Sequence, residues 1–371
     1  MTRRTRVLFV AWDGPFQNYL EGLFLPIFAA TQQRGFECHG MPRRGGSPEA
    51  VRSARDAAER YGIPYTHQPI HRRPALPATA ATLVLGARRL ARYVSDHDID
   101  VVMPRSTPPA AMTLMARRWL RSRVLFDADG FAPDERVDFA GWRPTGFSYR
   151  LYRDIEAQMV RVADAVMTRT DEAKQILLAR AGAGTEPDKI HVIPNGKDET
   201  LFSPGSGAER EETRAELGVP THAPLVVYAG SLGPHYYPAE MFRFFGALRA
   251  RCPDARMLVI TAQHDAARTA CAEAGVSAEG VQIRQLPAER VARFVATADL
   301  GLALRAPSFS QRGVSPIKVA EYLLCGVPVV ATSGVGDLDA QLGGAEVGRL
   351  LPALGPESLE AAADWVQHDV L

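Results

Sequence analysis

The sequence contains few cysteines and carries almost no net charge. Its 371 residues include four cysteines, which show neither metal-ligand spacing nor a disulfide framework and so favour a reducing cytoplasm. Its 43 basic and 42 acidic residues give a formal charge of +1, which argues against a nucleic-acid partner. No apolar run reaches the roughly 18 residues that a membrane-spanning helix needs. We therefore expect a cytoplasmic protein without a transmembrane segment.

Common phosphate-binding and nucleophile motifs are missing as well. The first strand–helix turn reads "AWDGPFQNYLEG" and has no G-x-G-x-x-G pattern, which argues against a dinucleotide-binding domain. The chain has no G-x-x-x-x-G-K-[ST] motif of the kind found in P-loop proteins. No G-x-S-x-G nucleophile elbow follows a strand, so an α/β-hydrolase site is also not indicated.

The chain does contain a regular alternation of strand and helix patterns. The alternation runs through two successive series, along a length suited to two domains. The polar stretch "NGKDETLFSPGSGAEREE", rich in proline and glycine, separates the two series. We predict an α/β protein with two doubly wound, Rossmann-like parallel sheets, in domains 1–197 and 198–371 that face each other across a cleft. Because ligands of such sheets bind outside the carboxyl ends of the strands, the loops after strands are the candidate sites.

One stretch, "SPIKVAEYLLCGVPVVAT" from Ser315, reads as a short helix followed by a buried strand. Ser315 is predicted to cap the helix, Pro316 to open it and Gly326 to close it. Lys318 and Glu321 lie three residues apart and so share one helix face. From this stretch alone, that face could be a surface ion pair or a binding site.

Four motifs occur in a fixed order along the second half of the chain. They are "HVIPNGKDETLFSP", "VVYAGSLG", "ATADLGLAL" and "SPIKVAEYLLCGVPVVAT". Together they resemble the family 4 glycosyltransferases, which are retaining enzymes of the two-domain GT-B fold. The resemblance covers most of residues 160–352. In the first half, "VLFDADGFAPDERVDFAGW" is similar to a segment of a branch of this family that builds polysaccharides.

The resemblance implies a donor site around the helix that follows Ser315. In the family, the glutamate of this helix, here Glu321, hydrogen-bonds the ribose hydroxyls of a nucleotide-sugar, and a carboxylate suits a vicinal diol. The loop at Ser315 and the helix N-terminus are then expected to hold the diphosphate, with Lys318 adding a positive charge. A second glutamate that the family often carries eight positions earlier is replaced by Gly313.

Four further residues are candidates for donor binding. The family often has a basic residue just after the "AG" that ends the first strand of the second domain, here Ala229 and Gly230; in this chain Ser231, Gly233 and His235 take that place. Arg305, after "LGLAL", is expected to supply the missing charge, unless it is a solvated surface arginine. Gly14, in the loop after the first strand, would let the backbone approach a ligand, unless that loop is an ordinary turn.

The loop "FDADGFAPDERVDF" is the candidate acceptor side of the site. Asp129 is the first candidate for polarising the acceptor hydroxyl and Glu135 the second; a solvated acidic loop is the alternative. The "DAD" at Asp127 matches the D-x-D pattern that holds a cation in GT-A glycosyltransferases, but the donor motifs lie in the other predicted domain. We therefore predict that the reaction uses neither a metal nor a cofactor beyond its nucleotide-sugar substrate.

Two basic stretches suit an anionic membrane surface. "MARRWLRSR" places Arg117, Arg118, Arg121 and Arg123 around Trp119, and "HRRPALPATAATLVLGARRLARYV" has basic ends around an apolar middle. A basic amphipathic helix can lie on anionic lipid, which would make the protein peripheral on the inner face of the cell membrane. The alternative is two exposed helices whose apolar faces pack on the sheet.

The sequence thus predicts a retaining glycosyltransferase that moves a sugar from a nucleotide-diphosphate donor to a glycan or lipid-linked glycan. The alternatives are a non-catalytic GT-B protein that binds nucleotide-sugars, and a GT-B nucleotide-sugar epimerase or hydrolase. GT-B enzymes usually continue into helices that cross back onto the first domain. No counterpart follows the helix expected at residues 356–368, so we expect either a truncated chain or an unusually short member.

Overall fold

The computed structural model describes residues 3–13, 20–44, 48–69, 75–344 and 346–371. The chain divides into two compact units, Met1–Ile193 and Pro194–Leu371. The division therefore falls shortly before the boundary that the sequence predicts after residue 197, at the start of the polar stretch.

Over its described residues, the first unit is built on seven parallel strands. These are β1 (Thr5–Asp13), β2 (Phe36–Arg44), β3 (Gln68–Pro69), β4 (Val101–Pro104), β5 (Arg123–Asp127), β6 (Ala165–Thr168) and β7 (Ile190–Val192). Its helices are α1 (Leu25–Gln32), α2 (Pro48–Arg60), α3 (Ala75–Asp96), α4 (Thr107–Ala116), α5 (Ala132–Ala140), α6 (Phe147–Val162) and α7 (Asp171–Ala181). The strand order is β3-β2-β1-β4-β5-β6-β7, so the direction of winding reverses between β1 and β4.

The described part of the second unit repeats this design with six parallel strands. These are β8 (Leu225–Ala229), β9 (Arg256–Ile260), β10 (Val281–Arg284), β11 (Leu300–Ala303), β12 (Val329–Thr332) and β13 (Gly348–Leu351). Its helices are α8 (Gly207–Leu217), α9 (Pro238–Arg251), α10 (His264–Glu273), α11 (Ala288–Val295), α12 (Ile317–Leu324), α13 (Leu338–Leu342) and α14 (Pro356–Trp365). The order β10-β9-β8-β11-β12-β13 reverses between β8 and β11. The predicted pair of doubly wound parallel sheets is confirmed.

The central strands of the second sheet are covered on both faces. Every residue of β8, β11 and β12 is buried, which explains why these strands read as nearly continuous apolar runs. Two hydrophobic clusters, one on each face, are formed from alternate strand residues and the helices above them. The sheet is therefore a rigid support for the loops at its carboxyl edge.

The ring of Tyr322 fixes α12 on the second sheet. It is fully buried, and its hydroxyl accepts a hydrogen bond from the backbone N–H of Ala229 at 3.0 Å. Gly301 in β11 provides the space for the ring, because a Cβ there would lie 2.4 Å from Cδ2 of Tyr322. The helix that carries the candidate donor residues is thus held close to the strands β8 and β11.

Candidate functional site

The candidate donor helix α12 begins at Ile317, directly after Pro316. The predicted cap by Ser315 is wrong, because no side chain caps this helix. The hydroxyl of Ser315 instead accepts a hydrogen bond from the backbone N–H of Asn195 at 3.2 Å, and its carbonyl accepts one from Nδ2 of Asn195 at 2.9 Å. Gly326 follows the helix with a φ of 72°, as the predicted closing residue requires.

Glu321 faces a partner that the sequence did not indicate. Its carboxylate Oε1 lies 3.0 Å from Nζ of Lys197, and the two side chains are 13% and 20% exposed. The ammonium of Lys197 also lies 5.3 Å from the ring centre of Phe202. Lys197 belongs to the stretch "NGKDET", which reads as a linker, and its only sequence signal is that this stretch is part of a family motif.

Lys318 is buried and surrounded by aromatic rings. Its side-chain ammonium donates a hydrogen bond to the hydroxyl of Tyr228 at 2.9 Å and lies 4.0 Å from the ring centre of Tyr236. Burial lowers the pKa of Lys318 well below its usual range; Arg305 acts in the same direction and Glu321 opposes it. A positive charge at this position is therefore costly until an anion compensates it.

Arg305 is partly buried and held by three side chains rather than freely solvated. Its Nη1 donates to the hydroxyl of Tyr236 at 3.0 Å, and its Nε donates to Oε1 of Gln311 at 2.7 Å. Its backbone N–H donates to the hydroxyl of Thr332 at 2.7 Å. Both Lys318 and Arg305 therefore contact Tyr236, so two basic side chains converge on one ring.

The loop after β8 lies against the same cluster. Gly230 has a φ of 140°, and a Cβ at this position would lie 3.3 Å from Nζ of Lys318. The backbone carbonyl of Ser231 accepts a hydrogen bond from the hydroxyl of Tyr228. The structure thus brings Gly230, Ser231, Arg305 and Lys318 together at the carboxyl ends of β8 and β11, where the winding of the sheet reverses.

In the first unit, two aspartates and two arginines form one ion-pair network. Asp127 is completely buried and lies 3.0 Å from Nη1 of Arg105 and 2.7 Å from Nη2 of Arg169. Asp129 also pairs with Arg105, and its Oδ1 lies 3.2 Å from Nε of Arg169. All four residues lie at or just after the ends of β4, β5 and β6, on the carboxyl edge of the first sheet.

The pKa values of the two carboxyl groups in the network shift in opposite directions. Burial raises the pKa of Asp127 against the attraction of both arginines. Burial also opposes ionisation of Asp129, but Arg105 and Arg169 outweigh it and lower the pKa of this carboxyl. A carboxylate with a lowered pKa is a weak proton acceptor, so Asp129 is better suited to binding than to removing a proton.

The other predicted residues of the first unit lie apart from this network or cannot be placed. Glu135 is exposed on α5. Asp134, its neighbour, is buried and accepts hydrogen bonds from Tyr149 at 2.9 Å and from Arg180 at 2.8 Å. Gly14 lies outside the described residues. The roles of Asp129, Glu135 and Gly14 stay predictions.

Known proteins share both halves of this architecture. The model of the "Glycosyl transferase 4-like domain" matches residues 27–196, and that of the "Glycosyl transferases group 1" matches residues 209–370. The chain belongs to the family 4 glycosyltransferases. A curated relative, the D-inositol 3-phosphate glycosyltransferase of Corynebacterium glutamicum, is 31% identical over 226 residues, which are 58% of this chain and 52% of the relative. The chain thus spans about half the length of the curated relatives that it matches.

Solved structures show the same GT-B fold over nearly the whole chain. A glycosyltransferase from Rickettsia africae superposes with a TM-score of 0.72 at 15% identity, covering 98% of this chain and 89% of the other. Anabaena HepE, solved in complex with UDP and glucose, gives a TM-score of 0.70 at 16% identity and covers 99% and 90% of the two chains. At these identities the likeness concerns the fold alone.

A basic and apolar surface lies between α3 and α4. Trp119 is 49% exposed, and the guanidinium of Arg118 stacks over it at 4.1 Å from the ring centre. The groove beside this pair is formed by apolar and arginine side chains, namely Val84, Ala87, Arg88, Leu114, Met115, Arg118 and Trp119. Across the described ranges, no helix combines the length and the apolar character needed to span a bilayer.

Proposed function

We propose that this glycosyltransferase transfers a sugar, with retention, from a nucleotide-diphosphate donor to a glycan or lipid-linked glycan. The observation that carries the proposal is the convergence of Lys318 and Arg305 on Tyr236, beside Glu321 and at the reversal of the second sheet. A bound anion would stabilise the two positive charges, so this site is suited to a diphosphate. Anabaena HepE, which shares the fold, was solved with UDP and glucose, and this supports a nucleotide-sugar as the donor.

Each donor residue has a role in this proposal. Glu321 accepts hydrogen bonds from the ribose hydroxyls, because a carboxylate offers two acceptor oxygens to a vicinal diol. Lys318 and Arg305 offset the charge of the diphosphate, together with the free N–H groups at the start of α12 next to Ser315. Gly230 and Ser231 line the site of the diphosphate. Because Gly230 has no Cβ, the backbone of this loop can lie close to Lys318.

On the acceptor side, the ion-pair network supports binding rather than proton removal. Asp129 has a lowered pKa, so we propose that it orients the acceptor hydroxyl, with Glu135 as the second candidate and Gly14 as a backbone contact of the donor. The leaving diphosphate takes the acceptor proton in a front-face displacement, while the protein positions the reactants and stabilises the leaving group.

The reaction is proposed to proceed without a metal. Both carboxylates of the D-x-D pattern are paired with Arg105 and Arg169, so a cation there would have to replace two guanidinium partners. Within the described part of the chain, no group of three or more histidine, cysteine or acidic side chains could hold a metal ion. The basic side chains around the donor provide the positive charge that a metal would otherwise supply.

We propose that the protein is cytoplasmic and peripheral on an anionic membrane, and the exposed Trp119 with its arginine neighbour supports the membrane contact. Arg118 and Trp119 combine a positive charge with an apolar ring, which is the combination that membrane interfaces favour. A lipid-linked acceptor would then be reached at the membrane surface.

A thermal-shift screen with UDP-, GDP-, ADP- and CMP-sugars tests donor binding directly. The best donor is then titrated by calorimetry into the wild type, Glu321→Ala and the control Glu211→Ala, which removes an exposed glutamate of α8. Loss of the ribose hydrogen bonds should weaken binding by tenfold or more, on the order of 1.4 kcal/mol, in Glu321→Ala alone. An unchanged affinity in folded Glu321→Ala would contradict the assignment of the donor site.

A further inference from the structure

The segment at the start of the second unit is attached to the donor helix at two places. Asn195 forms two hydrogen bonds with Ser315, just before α12 begins. Two residues further along the chain, Lys197 reaches Glu321 in the helix itself. Residues 194–197, which we term the strap, therefore run along the donor helix from its start to its binding glutamate.

The contact between Lys197 and Glu321 lies at the most specific point of the proposed donor site. A hydrogen bond to a carboxylate oxygen is about 2.7 Å long, and Nζ of Lys197 lies 3.0 Å from Oε1 of Glu321. A ribose oxygen bound to the same Oε1 would therefore lie within roughly 6 Å of Nζ of Lys197. The lysine is close enough to affect how the ribose binds.

Lys197 could compete with the ribose for the carboxylate of Glu321, or it could hold that carboxylate in place for the ribose. The geometry favours the second effect. A carboxylate offers about four acceptor positions, so an ammonium on Oε1 leaves acceptor positions for the two hydroxyls of a diol. Glutamate has three side-chain torsions, and fixing them before the ligand arrives removes part of the entropic cost of binding. Lys197 is 20% exposed and also contacts Phe202, so it is itself a fixed partner.

We propose that Lys197 is a positioning residue for the nucleotide ribose, which holds the carboxylate of Glu321 ready to accept both the 2′ and the 3′ hydroxyl. The inference rests on the proposed function, because it assumes that Glu321 binds the ribose. It predicts that Lys197 determines how well the protein distinguishes a ribonucleotide from its 2′-deoxy counterpart. A lysine with a purely structural role would leave that ratio unchanged.

The experiment measures the affinities of UDP and 2′-deoxy-UDP by calorimetry, or of the GDP or ADP pair if the thermal-shift screen selects that base. The variants are Lys197→Met, Lys197→Arg, Glu321→Ala and the double variant Lys197→Met/Glu321→Ala. Lys174→Met, a lysine of α7 in the first unit, is the matched control.

We expect Lys197→Met to weaken ribonucleotide binding by about three- to tenfold, with a smaller effect on the deoxynucleotide, so that the ratio of the two affinities falls. In Lys197→Arg the ratio of the two affinities should stay close to that of the wild type, and in Lys174→Met it should be unchanged. The double variant should bind no more weakly than Glu321→Ala, because both changes remove the same interaction.

The outcomes separate this inference from the proposed function. An unchanged ratio in both Lys197 variants, with weaker binding in Glu321→Ala, would overturn the role of Lys197 and leave the donor site in place. Tighter binding by Lys197→Met would also overturn it, because the lysine would then compete with the ribose. If Glu321→Ala has no effect, or if none of the nucleotides binds, the proposed donor site itself is wrong and this inference fails with it.

Discussion

Replacing Gly301 by alanine tests how the second sheet holds the donor helix. A Cβ at this position would lie 2.4 Å from Cδ2 and 2.6 Å from Cγ of Tyr322, closer than any real contact allows. The ring cannot withdraw freely, because its hydroxyl accepts from the N–H of Ala229 at 3.0 Å and donates to the carbonyl of Leu302 at 3.3 Å. Either the strand or the helix must move.

The cost follows from two contributions. Inserting a methyl group into a filled core typically costs about 1–3 kcal/mol. Weakening the hydrogen bonds of the Tyr322 hydroxyl adds about 0.5–1.5 kcal/mol for each bond. We therefore expect Gly301→Ala to lower the free energy of unfolding of the second unit by about 2–6 kcal/mol. For a unit of this size, that corresponds to a decrease in Tm of roughly 4–24 °C.

Urea denaturation and calorimetry measure this change. Gly207→Ala is the control, because no atom lies within 4 Å of the Cβ position at Gly207, and its stability should stay within about 0.5 kcal/mol of the wild type. Adding Tyr322→Leu to Gly301→Ala makes room for the methyl group, so the double variant should be more stable than the sum of the single effects. A Gly301→Ala protein as stable as the wild type would refute the packing argument.

Three further predictions concern the site and the surface. Because burial lowers the pKa of Lys318, a bound diphosphate should raise it again and binding should take up a proton, so donor affinity should fall as pH rises. Calorimetry in two buffers with different ionisation enthalpies measures this proton, and its persistence in Lys318→Met would contradict the assignment. Arg118→Ala should weaken co-sedimentation with anionic liposomes at low salt by about 1 kcal/mol, and an unchanged bound fraction would leave Arg118 with a packing role. Transfer should continue in excess EDTA; its loss, with recovery on adding Mg²⁺ or Mn²⁺, would revive the D-x-D metal site at Asp127.

The parts of the fold and site that follow from local patterns could be predicted. The central strands of the second sheet, β8, β11 and β12, are short apolar runs. Gly230, Arg305 and Lys318 converge because the first two follow strands whose carboxyl ends meet at the reversal of the sheet, and α12 returns beside them.

The parts that depend on distant partners could not be predicted. Ser315 is followed by a proline and a helix, which favours a helix cap. Its hydroxyl instead accepts a hydrogen bond from the backbone N–H of Asn195. Lys197 lies in a polar stretch that reads as a linker, although it pairs with Glu321. Asp129 reads as an available carboxylate, whereas Arg105 and Arg169 approach it from two other strand ends. Pairing between residues far apart in sequence leaves no local pattern.

Acceptor-dependent release of nucleoside diphosphate tests the central claim most directly. The donor selected by the thermal-shift screen is incubated with the wild type or Glu321→Ala, with and without a membrane extract that contains lipid-linked glycans. We predict release that depends on the extract, incorporation of the sugar into a glycan, and a kcat/KM at least tenfold lower for Glu321→Ala. Release that is equal with and without the extract would indicate a hydrolase, and donor binding without any turnover would indicate a non-catalytic protein; either result would contradict the account.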